Sequence, residues 1–165
     1  MLPNVYNRGR VRILATAVLI GAALVAALSL GGTTPADAQS GNCPGSLIES
    51  RNLNVGGKKV GELDVYYDAA TGKNCARMNH AGDTWGKKLQ TRAWIGICSE
   101  TKPSNGTCHY DPATDGVDKG NYAYYAGPVK TKVSAAGRCI AASGYLWIDG
   151  TRYAVGTKPW VGHCG

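Results

Sequence analysis

The chain has 165 residues, a formal net charge of +7, six cysteines and no phenylalanine. That length leaves room for one modest domain and a leader, not for two cores. Basic residues come singly or in pairs, as in Lys58-Lys59 and Lys87-Lys88, with no basic helix or recognisable motif, which argues against nucleic acid as a partner.

The N-terminus carries Arg8, Arg10 and Arg12, then the apolar run "ILATAVLIGAALVAALSL" from Ile13 to Leu30. Ala36-Asp37-Ala38 follows, a small-x-small site of the kind signal peptidase accepts. Basic, apolar and small-residue regions in that order predict a cleaved secretory signal peptide over residues 1–38, and no charged stop-transfer cluster argues for an anchor instead. Residues 39–165 are then expected to form a single exported β-rich domain with no membrane segment. The leader takes three arginines and Asp37 from the net +7, so this domain carries +5. A surplus of that size suits adhesion to anionic surfaces such as phosphate-bearing wall polymers.

Within the domain, alternation dominates and no long stretch keeps a helical period. In "VGELDVYYD", Leu63, Val65 and Tyr67 share one side, opposite Glu62, Asp64 and Tyr66. "DAATGK", with Gly72 suited to positive φ, reverses the chain into "NCARMN". In "KLQTRAWIGIC", Leu89, Thr91, Ala93, Ile95 and Ile97 oppose Gln90, Arg92 and Trp94. "NYAYYAGPV" reads as one strand, Tyr122 and Tyr124 pointing one way with Ala126 and Tyr125 the other way into the core. In "PVKTKVS", Val129 and Val133 face away from Lys130 and Lys132.

"YLWIDGTRYAV" carries the clearest hairpin signal. Asp149-Gly150 favours a two-residue type I′ turn, pairing Ile148 with Thr151, Trp147 with Arg152, Leu146 with Tyr153 and Tyr145 with Ala154. One side carries Leu146, Ile148 and Tyr153; the other carries Tyr145, Trp147 and Arg152, with the arginine expected over the indole. Seven or eight short strands predict an all-β fold, a small antiparallel sandwich or barrel stapled by disulfides.

All six cysteines, Cys43, Cys75, Cys98, Cys108, Cys139 and Cys164, follow the leader. An even number in a short exported chain predicts three disulfides, among 15 possible pairings. Cys98 and Cys108 bracket "SETKPSNGT", whose Pro103 and Asn105-Gly106 are turn formers, so a bridge there closes a local loop. For the others, Cys43–Cys75 and Cys139–Cys164 join segments near in sequence. Metal ligation by cysteine with His80, His109 and His163 lacks any CxxC or HxxxH spacing, and nothing calls for a metal or cofactor.

"YYDAATGKNC", "DKGNYAYYAGPV", "SAAGRC" and the final "HCG", in that order, resemble the spore-associated protein A family of small secreted proteins from streptomycetes and related bacteria. The resemblance covers most of Cys43 to Gly165 and implies a protein found with spores and aerial growth. It supplies no catalytic residue. Cys43, Cys75, Cys139 and Cys164 match the family's cysteines, while "CSETKPSNGTCHYD" and the aromatic "YLWIDGTRYAVGTKPW" depart from its pattern.

Candidate chemistry is thin. Glu49, Glu62, Asp64, Asp83 and Asp111 offer carboxylates, of which Glu62 and Asp64 share a strand face that reads as an exposed polar side. Asp111, Asp115 and Asp118 in "DPATDGVDKGN" lack EF-hand spacing and read as an acidic turn. No GxSxG is present, and the expectation is a non-enzyme. If a surface grips sugar rings, Trp147, Tyr145, Trp94 and Trp160 are its candidates, with a cell-wall or spore-surface polymer as partner. An alternative is a secreted protease inhibitor presenting Lys102 from the Cys98–Cys108 loop.

Overall fold

The computed structural model describes residues 41–165, so the signal peptide expected over residues 1–38 lies outside the described residues. Eight antiparallel strands form two four-stranded sheets, an all-β sandwich. The first sheet has the order β1 (Ser46–Val55), β2 (Lys58–Asp68), β3 (Lys73–His80), β6 (Tyr125–Lys130). The second has the order β5 (Gly116–Tyr122), β4 (Leu89–Ile97), β7 (Ile140–Ile148), β8 (Thr151–Gly156). No helix among the described residues is long and apolar enough to cross a membrane.

The inward faces are those the alternation assigns. Leu63, Val65, Ala76 and Met78 from the first sheet meet Ala93, Ile95, Ile140, Ala142 and Leu146 from the second. With phenylalanine absent, aliphatics and one methionine fill the space, and glycine lets the methionine come close. A Cβ on Gly144 of β7 would stand 2.4 Å from Met78 Sδ. Met78 therefore lies directly on the backbone of the opposing sheet.

The β7–β8 hairpin has the register its turn dictates, from Ile148↔Thr151 to Tyr145↔Ala154. Asp149 and Gly150 both have positive φ, 49° and 77°, as a type I′ turn requires. One detail differs. The Arg152 guanidinium lies over the Tyr145 ring, 5.6 Å from its centroid, where the sequence pattern suggested Trp147.

"NYAYYAGPV" is not one strand. Tyr122 ends β5 in one sheet, the chain crosses at Ala123-Tyr124, and Tyr125 opens β6 in the other. Tyr122 and Ala126 keep the same parity through the crossing and both face inward, Ala126 fully buried, so Tyr125 takes the other side and lies on the outer face beneath Arg77. Of the tyrosines in this stretch, Tyr122, from the inner face of β5, is the one that packs against the main core. Val133 likewise departs from expectation: β6 stops at Lys130, and Val133 is exposed.

Three disulfides join Cys43 to Cys75, Cys98 to Cys108 and Cys139 to Cys164, the pairs proposed from proximity in sequence. The first ties the chain before β1 to β3. The other two fasten the 98–108 loop and the C-terminal segment at one end of the second sheet. There they form a second, smaller core with Trp94, Ala141 and Val161.

Candidate functional site

The outer faces of the two sheets differ in charge. On the first, the side chains pair with one another. Ser50 Oγ lies 2.7 Å from Glu62 and 2.9 Å from Asp64, and Asn79 Nδ2 donates to Asp64 at 2.7 Å. Lys59 Nζ is 2.8 Å from Glu62, which chiefly through that bond holds its carboxyl below the ordinary range. Arg77 stands 3.9 Å from Asp64. Asp64 is buried at 8% exposure, so the exposed polar side expected for this strand is, at Asp64, a closed network.

The second sheet shows the opposite. Its outward strand positions are Val117, Lys119 and Asn121 on β5, Gln90, Arg92, Trp94 and Gly96 on β4, Ala141, Ser143, Tyr145 and Trp147 on β7, and Arg152, Ala154 and Gly156 on β8. None is acidic. Among the described residues, Lys119, Arg92 and Arg152 have no carboxylate within ion-pair distance. The nearby Asp115 is taken by Trp94, whose Nε1 donates to it at 2.8 Å.

Register puts these groups in rows. Lys119, Arg92, Tyr145 and Ala154 lie side by side across the sheet, and the next row is Val117, Trp94, Ser143 and Gly156. Arg92 stands over the Trp94 ring at 6.0 Å. Two guanidinium groups on this face thus lie over aromatic rings, Arg92 over Trp94 and Arg152 over Tyr145.

The four aromatics proposed as a sugar-gripping surface do not form one platform. Trp94 is only 4% exposed and Tyr145 9%, so neither offers a ring face to a polymer. Trp94 is covered by Trp160, stacked at 6.0 Å and 19°, and by Tyr110, edge-on at 4.9 Å. That cover comes from the 98–110 and 157–164 segments folding over the sheet, which strand alternation does not report. Trp147 is 38% exposed, and Trp160 is half-buried at the border of a shallow trough.

The remaining candidates are dispersed. Glu49 holds the C-terminal segment, accepting from the Lys158 amide at 2.9 Å and facing His163 Nε2 at 2.6 Å. Asp83 pairs with Lys58 at 3.5 Å. Asp111 accepts the Ala113 amide within its own turn, and Asp118 faces inward to Tyr122 and Gly127, so the three aspartates of "DPATDGVDKGN" do not converge. His80 is buried, and His109 lies 2.5 Å from Glu100, which that contact holds below the ordinary carboxylate range. Among the described residues the one grouping of potential metal ligands is Cys98, Glu100 and Cys108, two of which are joined in a disulfide.

Lys102 is exposed, as expected. The loop that carries it is tied on both sides. Glu100 O accepts from the Cys139 amide at 3.2 Å, and Ser104 exchanges two backbone bonds of 2.9 Å with Val161. Asn105 Oδ1 also accepts from the Trp160 amide at 3.2 Å. Compared with protein-family models, curated proteins and solved structures, the chain matches none.

Proposed function

We propose that the protein is exported and acts as a non-catalytic adhesive or structural component of a spore or hyphal surface, holding to an anionic wall or spore polymer. The observation that carries this reading is the outer face of the β5-β4-β7-β8 sheet: three cations without acidic partners, Lys119, Arg92 and Arg152, beside the exposed Trp147. Unpaired cations on one face favour an anionic partner, and their interaction with it weakens with salt. Three disulfides suit an oxidising, extracytoplasmic setting.

The test is retention of the oxidised 39–165 protein on insoluble peptidoglycan, chitin and intact spores in low and high salt. Retention on an anionic support, lost in high salt and in an Arg92→Gln/Arg152→Gln variant, is expected. No retention on any support would refute the reading.

A second reading, protease inhibition, draws on the loop anchored at Glu100 and Ser104, which holds Thr101, Lys102 and Pro103 outward between fixed points. Pre-organisation of this kind favours binding. Inhibition of a trypsin-like protease that disappears on Lys102→Ala would move this reading to first place.

A further inference from the structure

Resting on the adhesive reading, we infer that a trough on the outer face of β7 and β8 is a subsite for one oxyanion-bearing sugar ring of the bound polymer. The trough is open, has a volume of about 310 Å³, and is lined by Ser143, Ala154, Val155, Gly156, Thr157 and Trp160. That volume is at the lower end of ligand sites, about 300–1,000 Å³, and fits a single ring better than an extended chain.

The floor is flat because its outward side chains are small: Ser143, Ala154 and Gly156. Gly156 is required there. A Cβ on it would come 2.7 Å from Trp160 Cζ3, so the indole lies against bare backbone. Trp160 is fixed from several directions. Its amide donates to Asn105, its carbonyl accepts from Thr157 Oγ1 at 2.7 Å, and its ring stacks on Trp94. A held ring loses little freedom when a ligand packs on it.

Beyond the Ala154 end of the trough, outside its lining residues, the same face is cationic. Tyr145 sits opposite Ala154 in register, and the Arg152 guanidinium is folded back over Tyr145. Arg92 flanks Tyr145 from the β4 side. From the Gly156 row to the Ala154 row is two strand residues, about 6.6 Å. A sugar ring resting by Trp160 therefore directs a carboxylate or phosphate substituent toward two guanidinium groups. Their planar forks match either oxyanion.

Binding of tetragalacturonate, glucose 6-phosphate, cellotetraose and inorganic triphosphate, followed by tryptophan emission and calorimetry, tests the assignment. Saturable binding is expected for one or both anionic sugars, and the two arms tell a carboxylate source from a phosphate source. Arg152→Gln and Trp160→Ala should each weaken it by about tenfold or more. Because Trp160 also covers the second core, Ala154→Phe serves as an independent variant: it fills the trough from an exposed position and should abolish binding while the fold is kept. Equal binding of cellotetraose or of triphosphate overturns the inference, as does unchanged binding by Ala154→Phe or the absence of saturable binding. Salt-sensitive retention on the polymer together with any of those results leaves the adhesive reading standing, whereas loss of all retention removes both.

Discussion

His80 Nε2 lies 2.7 Å from Thr91 Oγ1, a contact that joins the end of β3 in one sheet to β4 in the other. The ring is 2% exposed, and its Nδ1 lies 3.0 Å from Thr84 O, so Nδ1–H donates to that carbonyl. In the neutral ring Nε2 is then the acceptor facing the Thr91 hydroxyl, whose single proton has a second acceptor within reach, Leu89 O at 3.0 Å. Burial pushes the His80 pKa down, against a smaller opposing effect of the Thr84 bond.

That depression makes stability depend on pH in a stated direction. An unfolded histidine takes up its proton near pH 6.5, and folded His80 does so only lower. Between those values the unfolded chain binds more protons, so the contribution is complete above about pH 6.5 and is lost as pH falls through the folded pKa. Urea denaturation between pH 7.5 and 5 should show falling stability that is reduced in His80→Gln. An identical pH profile in the variant would assign the loss elsewhere.

Gly144→Ala should destabilise by about 1–3 kcal/mol, because the added methyl would meet Met78 Sδ at 2.4 Å in a filled core. The clash belongs to the pair. In a double-mutant cycle, Gly144→Ala should cost less in a Met78→Ala background, which removes Sδ and Cγ at 2.4 and 2.7 Å, though the Cβ that alanine keeps stays 2.8 Å away. Additive losses would show that the strain lies in the β7 backbone or against the Cβ of residue 78 rather than against the thioether.

The disulfides should rank by the loops they close. By chain entropy, Cys43–Cys75, with a separation of 32, should contribute ~3.7 kcal/mol, and Cys98–Cys108, with a separation of 10, ~2.7 kcal/mol. Replacing each pair by alanine and comparing denaturation midpoints at equal m-values tests the order. A larger loss for Cys98–Cys108 would mean that the loop's bonds to Cys139 and Val161 depend on that bridge.

These features were unevenly legible in sequence. The β7–β8 register followed from Asp149-Gly150 because a two-residue turn acts locally and fixes every pair above it. The inward residues of β2 and β4 followed from alternation, which a strand imposes geometrically. Tyr125 was misplaced because alternation groups Tyr122 with Ala126 against Tyr125 but does not say which side is core, and the small Ala126, not the ring of Tyr125, turned out to face inward. Trp94 was outward, as its position in the strand required, yet buried, since its cover arrives from Tyr110 and Trp160, distant in sequence. The trough was illegible for the same reason. Its floor is a set of small residues without periodic signature, and only the docking of the C-terminal segment beside them makes a wall.

Tyr122 gives the last test, at high pH. Its hydroxyl donates to Asp118 Oδ1 at 2.5 Å, while Asp118 Oδ2 accepts the Gly127 amide at 2.7 Å across the crossing between sheets. Burial first, then the bond to Asp118 and its negative charge, push the Tyr122 pKa up to about 12. An unfolded tyrosine ionises near 10, so from pH 10 to about 12 the folded chain keeps a proton that the unfolded chain has lost. The contribution is complete below pH 10 and disappears as pH rises through about 12. Phenolate absorbance should show one tyrosine ionising late, and that late step should be missing in Tyr122→Phe. At pH 7 the same change should cost about 1–2 kcal/mol, at the low end for a bond to a charged group because the site is only partly buried. If the variant keeps the late step, Asp118 serves the Gly127 amide alone and Tyr122 contributes to the seam by packing.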